Sequence, residues 1–266
     1  MLIYGTSDLH LDINRLYDPI PFYGKDSVLL IAGDSAEIAS FRKKGRTYMD
    51  LEAICQAFGQ VYAITGNHEY YSGILVQDSK DGDYADAVKD IPNLKVLNND
   101  VVILDDKVRI IASTMWTDFA KGNHMAIDAA WRGLNDYNYI MHQEYVGALS
   151  DRLTPADVYR MFAENEAFIR SEIDKATDDM PTIIMTHHAP VMSHANSQRH
   201  SSSLVDYAYA CTVWDEFIVE NTDKIDVWFH GHTHDHKETQ IDNTRIITKA
   251  RGYEDPSFDP VLLLET

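Results

Sequence analysis

Five polar turns in this chain carry side chains that could do chemistry, and each follows a short apolar run. Leu2-Ile3-Tyr4 leads to Asp8-Leu9-His10, and Val28-Leu29-Leu30-Ile31 ends in Gly33-Asp34. Val61-Tyr62-Ala63-Ile64 delivers Gly66-Asn67-His68-Glu69, and Thr182-Ile183-Ile184-Met185 delivers His187-His188. The last run, Val227-Trp228-Phe229, continues through His230 and breaks at Gly231 before His232-Thr233-His234. Imidazole is the commonest protein metal ligand, and a His-x-His pair on a tight turn lets one short stretch serve two nearby ions. Taken singly, each cluster has an ordinary explanation: a turn at Asp8 and His10, a helix cap at Asp34, a left-handed turn residue at Asn67. Five of them at five strand ends are better explained by one shared site, because ligands of open α/β sheets bind outside the carboxyl ends of the strands. Carboxylate, amide and imidazole donors without thiolates suit Mn²⁺, Fe or Zn²⁺. The seven to eight donors these five turns can offer exceed what one ion takes while keeping a water position. A pair of ions sharing a carboxylate fits the set, and two metals ~3.5–4 Å apart are suited to clamping a phosphoester.

The elements that must position these turns follow from the same pattern. Strand, helix, strand with continuous apolar runs predicts parallel βαβ units. Leu51, Ile54, Cys55 and Phe58 fall on one helical face. Residues 72–100, rich in aspartate (Asp78, Asp81, Asp83, Asp86, Asp90), predict a surface helix closed at Pro92; their spacing fails the EF-hand pattern. Val101–Leu104, Asp105-Asp106 and Val108–Ile111 predict an antiparallel hairpin. Residues 114–150 hold Trp116, Trp131, Tyr137, Tyr139 and Tyr145 among polar side chains, which suits a partly helical cap over a cleft. Thr154-Pro155 opens a helix expected to reach Ala176, with Val158, Phe162, Ile169 and Ile173 inward. A polar loop (192–206), a short helix near Val213–Val219 and closing strands at Arg245–Thr248 and Val261–Leu264 complete the chain, with Arg251-Gly252-Tyr253 on a turn.

Composition narrows the partners. The 266 residues hold 23 Lys plus Arg against 42 Asp plus Glu, a formal charge of −19. Such a field repels polyanions, so long nucleic acid is not an expected partner. Cys55 and Cys211 make no disulfide framework and read as small core residues. Met1-Leu2-Ile3-Tyr4 has no basic leader, and no stretch approaches the ~18 apolar residues of a membrane span. A cytoplasmic location, without membrane contact, is the expectation. No motif fixes an oligomeric state.

Asp8-Leu9-His10, Gly33-Asp34, Gly66-Asn67-His68-Glu69, His187 and Gly231-His232-Thr233-His234 together resemble the ordered signature of the calcineurin-like metallophosphoesterases, across nearly the whole chain. Thr114-Met115-Trp116-Thr117-Asp118, Leu134-Asn135-Asp136-Tyr137 and Arg251-Gly252-Tyr253 resemble a bacterial and phage branch of uncertain substrate. The resemblance implies a four-layer α/β/β/α sandwich of two mixed sheets flanked by helices, here as one domain over 1–266 with the cap-like insertion around 114–150. It implies two divalent ions, manganese first with iron or zinc as alternatives. Asp8, His10 and His234 would hold one, Asn67, His187 and His232 the other, and Asp34 would bridge them. His68 would contact the phosphate or protonate the leaving alkoxide while a hydroxide bridging the metals attacks phosphorus. His188 is expected to line the substrate site or support its turn, His230 to be structural, and Arg251 is a candidate phosphate contact. The expected function is hydrolysis of a small phosphoester: a phosphodiester, a nucleotide or a cyclic nucleotide. The alternatives are a metal-dependent nuclease, or a non-catalytic scaffold binding a protein on the same fold.

Overall fold

The structure, a computed structural model, describes residues 1–71, 82–141, 152–195, 203–253 and 257–266. Strands β1 (Leu2–Thr6), β2 (Gly24–Ala32), β3 (Phe58–Ile64) and β4 (Leu94–Val96) pair in parallel in that order. A second sheet contains β5 (Asp100–Leu104), β6 (Val108–Ala112), β7 (Thr182–Met185), β8 (Val227–His230), β9 (His236–Ile241) and β10 (Thr244–Lys249), in the order β5-β6-β7-β8-β10-β9. Its centre from β6 to β10 is parallel, while β5 and β9 run antiparallel at the two edges. β11 (Val261–Glu265) returns to the first sheet, antiparallel to β1. Both sheets are therefore mixed, as expected.

Alternation along each strand divides the core. Val28, Leu30 and Ile64 meet Ile110, Ile183, Met185 and Phe229 between the sheets. Their neighbours Leu29, Ile31, Val61, Ile111, Ile184 and Trp228 face the flanking helices. On a pleated strand this period of two lets one apolar run serve both layers. Helices α1 (Ile38–Arg42) and α2 (Arg46–Gln56) cross from β2 to β3, and α3 (Gly82–Val88) precedes β4. The 114–141 stretch holds α4 (Phe119–Gly122), α5 (His124–Gly133) and α6 (Asp136–Tyr139). Phe119, Ala120 and Lys121 have φ of 45°, 53° and 60°, so α4 is a left-handed turn. α7 (Pro155–Asp174) opens on a Thr154–Asp157 capping box, worth about 1 kcal/mol, and buries Val158, Phe162, Ile169 and Ile173 as its spacing predicts. α8 (Trp214–Glu220) seats Trp214 edge-on against Trp228 at 5.1 Å.

One expectation changes, and two elements lie beyond the sequence reading. Phe58 belongs to β3 and stacks on Tyr23 at 4.4 Å; its helical spacing from Leu51 is met by pairing with β2 instead. β9 alternates exposed and half-buried polar residues at a sheet edge, so no apolar run announces it. α1 is one turn with only Ile38 and Phe41 buried. Asp83, Asp86 and Asp90 pair with Arg42, Lys89 and Lys44 on the surface. Asp78, Asp81, Tyr145 and the middle of the 192–206 loop lie outside the described residues. Among the described residues no helix is long and apolar enough to cross a membrane.

Candidate metal centre

Backbone hydrogen bonds zip the five turns together. Asp8 N–H donates to Gly33 O and His10 N–H to Asp34 O, joining the turns after β1 and β2. His187 N–H donates to Thr114 O, Gly231 N–H to His187 O, and Gly252 N–H to Asp8 O, which draws in the second sheet. The approach is close enough to demand glycine. A Cβ on Gly66 would fall 2.2 Å from Asp34 Oδ1, and one on Gly231 would fall 2.7 Å from Ala32 O. Asp8, His10, Asp34, His232 and His234 all adopt left-handed backbone, with φ between 44° and 69°. L-residues pay roughly 1–2 kcal/mol for that conformation, with aspartate among the more tolerant.

Two groups of donor atoms, each within 4.8 Å, share Asp34: Asp8, His10, Asp34 and His234, and Asp34, His187 and His232; a third, His10, Asp12 and His68, shares His10 with the first. Asp34 Oδ2 is 3.8 Å from His10 Nε2, and its Oδ1 is 3.4 Å from His187 Nε2. His10 Nε2 lies 3.1 Å from His234 Nε2, and His187 Nε2 lies 3.2 Å from His232 Nδ1. Asn67 Oδ1 is 3.0 Å from His187 Nε2, joining the second group. All seven expected ligands thus converge. Lone-pair atoms this close, from carboxylates, amide oxygen and imidazoles, form a donor set that suits divalent cations.

Electrostatics act in the same direction. Burial, with neighbouring histidines, pushes His10 and His232 well below the ordinary histidine pKa, favouring the neutral ring that binds metals. Burial alone would raise Asp8, but the hydrogen bond and charge of His234 outweigh it and hold the carboxyl below its usual range. His187 Nδ1 is 2.8 Å from Ala32 O, so it donates there and Nε2 faces the cluster; burial would lower this ring's pKa, but the Asp34 and Asp8 charges raise it.

Residues to which sequence reasoning gave no role support the turns. Glu69, fully buried, accepts from the backbone N–H groups of Asp34, Ser35 and Gly66 at 3.0, 2.6 and 2.7 Å. Burial and the Asp34 charge push its pKa up to about 8. Asp12 Oδ2 sits 3.0 Å from His68 Nε2. Burial would lower His68, yet Asp12, Asp34 and Glu69 raise it to about 9. Asp136 Oδ1 accepts from Asn67 Nδ2 at 2.9 Å and from the Tyr71 hydroxyl at 2.6 Å. Asp12 follows His10 in an Asp-x-His-x-Asp run, the one signal that could have found it.

A cavity of about 220 Å³ opens onto Asp34, Asn67, His232 and His234, walled by Tyr71, Leu134, Asn135, Asp136, Tyr209 and Tyr253. Tyr209 stacks on His232 at 4.9 Å and Tyr253 on His10 at 4.3 Å. His68 adjoins this wall, its ring edge-on to His10 at 4.6 Å and 4.9 Å from that of Tyr71. His188 is buried, 4.2 Å from the His232 ring, and is placed to support the turn. His230 is buried outside these groups, with Nε2 2.8 Å from His194 Nδ1. Arg251 departs from expectation. Its Nε, Nη1 and Nη2 donate to the carbonyls of Ser257, Leu9 and Arg15, so the guanidinium clamps backbone and is not at the cavity wall.

The sequence model of the calcineurin-like phosphoesterases matches residues 1–236. The chain belongs to this family. An uncharacterized protein of Acanthamoeba polyphaga mimivirus is 26% identical over 287 residues, covering 98% of this chain and 95% of its own. The solved phosphopantetheinyl hydrolase of Mycobacterium tuberculosis superposes with a TM-score of 0.68 over 95% of this chain and 89% of that one. At 16% identity that likeness concerns the fold.

Proposed function

We infer that this chain is a dinuclear metal-dependent hydrolase of small phosphoesters. The observation that carries the reading is Asp34, whose two carboxylate oxygens face two different donor groups. Asp8, His10 and His234 would hold one ion, Asn67, His187 and His232 the other, with Asp34 shared. When bound, such ions polarise phosphoryl oxygens and lower the pKa of water, manganese being the first candidate with iron or zinc next.

The chain's own residues do the rest. Glu69 fixes the amides on either side of Asp34 and so aims its carboxylate. Asp12 holds the His68 ring and opposes its charge, which equips His68 to hand a proton to the leaving oxygen. The described wall carries no Lys or Arg, so charge on a substrate would be offset mainly at the ions. Together with the −19 net charge this favours a small substrate over a polymer. The insertion around 114–150 would act as a cap, since its Leu134, Asn135 and Asp136 line the cavity with the donor groups.

The test is a metal-reconstituted activity screen with Mn²⁺, Fe²⁺ and Zn²⁺ across mono-, di- and cyclic phosphoesters and nucleotides. The fold likeness justifies adding a phosphopantetheinyl ester. Turnover of a small ester dependent on added metal is expected. Processive cleavage of linear DNA would favour the nuclease reading, and an inert metal-loaded chain the scaffold reading.

A further inference from the structure

We propose that Asp136, on the helical insertion, is a positioning residue that sets the amide orientation of Asn67 and thereby the affinity of one ion of the pair. The inference rests on the dinuclear reading of the site. The Asn67 amide has a donor end and an acceptor end, and its surroundings choose which faces the cluster. Nδ2 points away from the cluster, to Asp136 Oδ1 at 2.9 Å and the Tyr71 hydroxyl at 3.1 Å. Oδ1 therefore faces His187 Nε2 at 3.0 Å.

In the neutral ring that binds a metal, the His187 proton sits on Nδ1, toward Ala32 O, and Nε2 then faces Asn67 Oδ1 as a second acceptor. An unrestrained amide would turn over in that state, and its NH₂ would donate to Nε2. Asp136 forbids the turn, because it would set the amide oxygen against a buried carboxylate. A divalent cation binds the amide oxygen and cannot bind the NH₂. Asp136 thus holds a ligand in the conformation that a cation completes.

Asp136 lies 69 positions from Asn67, in the first turn of α6, so the link couples the insertion to the site. Coupling of this kind is reciprocal. An ion held by Asn67 should tighten α6, and α6 should tighten the ion.

Direct titration of the metal-free full chain with Mn²⁺ tests this. In Asp136→Ala one Mn²⁺ should bind about 10–100-fold more weakly, the usual effect of removing a partner that orients a ligand. The other should stay within about threefold of the parent. In an Asn67→Asp background, where both ends of the side chain are oxygens, Asp136→Ala should weaken neither ion. Equal losses at both ions, or the same loss in both backgrounds, would overturn the proposal in favour of a merely structural aspartate. The parent chain supplies a second readout: Mn²⁺ should slow hydrogen exchange at the Asn138, Tyr139 and Ile140 amides, bonded to Asn135 and Asp136 carbonyls. Unchanged exchange there, with two ions bound, would overturn this proposal and leave the dinuclear reading standing. A parent that binds no Mn²⁺ would remove both.

Discussion

A carboxylate that meets two donor groups with different oxygens should be the least replaceable side chain of the site. Asp34→Asn keeps the shape and loses the charge, and elemental analysis is expected to find at least one ion missing from the variant. His68 should act on the leaving group, with a general-acid contribution of roughly 10²–10⁴-fold. His68→Ala should therefore slow an alkyl phosphoester far more than a p-nitrophenyl ester, whose leaving group needs no proton; equal losses on both would assign the ring to positioning. The convergence of all seven donors was legible because residue types recur at strand ends. Their supports were not. Glu69 stood in a recognised motif, but nothing in its spacing says it gathers three backbone amides from two turns. Asp136 partners Asn67 from 69 positions away, a distance at which spacing carries no information. Arg251 misled for the opposite reason: an arginine beside a polar turn is what a phosphate contact and a backbone clamp both look like in sequence.

Elements built from long apolar periods matched their sequence closely. α7 starts at its Thr-Pro signal and β7 spans Thr182–Met185 as the apolar run dictates. Elements stabilised by neighbours, such as edge strand β9 and the first residues of β3, carried no such signal. β9 nonetheless has a specific anchor. Thr239 Oγ1 lies 2.8 Å from His194 Nε2, and the other ring nitrogen of His194 meets buried His230. Burial and the Lys237 charge lower His194 to about 4, with Asp235 opposing, so the folded ring is neutral where an unfolded histidine near 6.5 begins to protonate. Between those values the unfolded state binds more protons, and stability falls as pH drops. Denaturant titrations should lose on the order of 1 kcal/mol between pH 6.5 and 4 beyond the loss in His194→Asn. Parallel curves for parent and variant would place the acid sensitivity elsewhere.

For the whole molecule, ions held between turns from both sheets should behave as a removable crosslink. Binding only the folded state adds about 2.7 kcal/mol when free ion is 100 times Kd. For a chain of this size that is roughly 5–10 °C in Tm. Calorimetry is expected to show EDTA lowering the midpoint by several degrees and Mn²⁺ restoring it; identical midpoints would mean that no ion bridges the sheets. The net charge makes a second forecast. Added salt should raise kcat/KM for a dianionic ester by screening the −19 field, where a basic nucleic-acid enzyme would lose affinity. The left-handed backbone at Asp8, His10, Asp34, His232 and His234 has a consequence of another kind. Glycine at any of these positions would relieve about 1 kcal/mol, so drift in an idle descendant of an enzyme has a downhill path to erase them. This sequence has taken that path at none of the five.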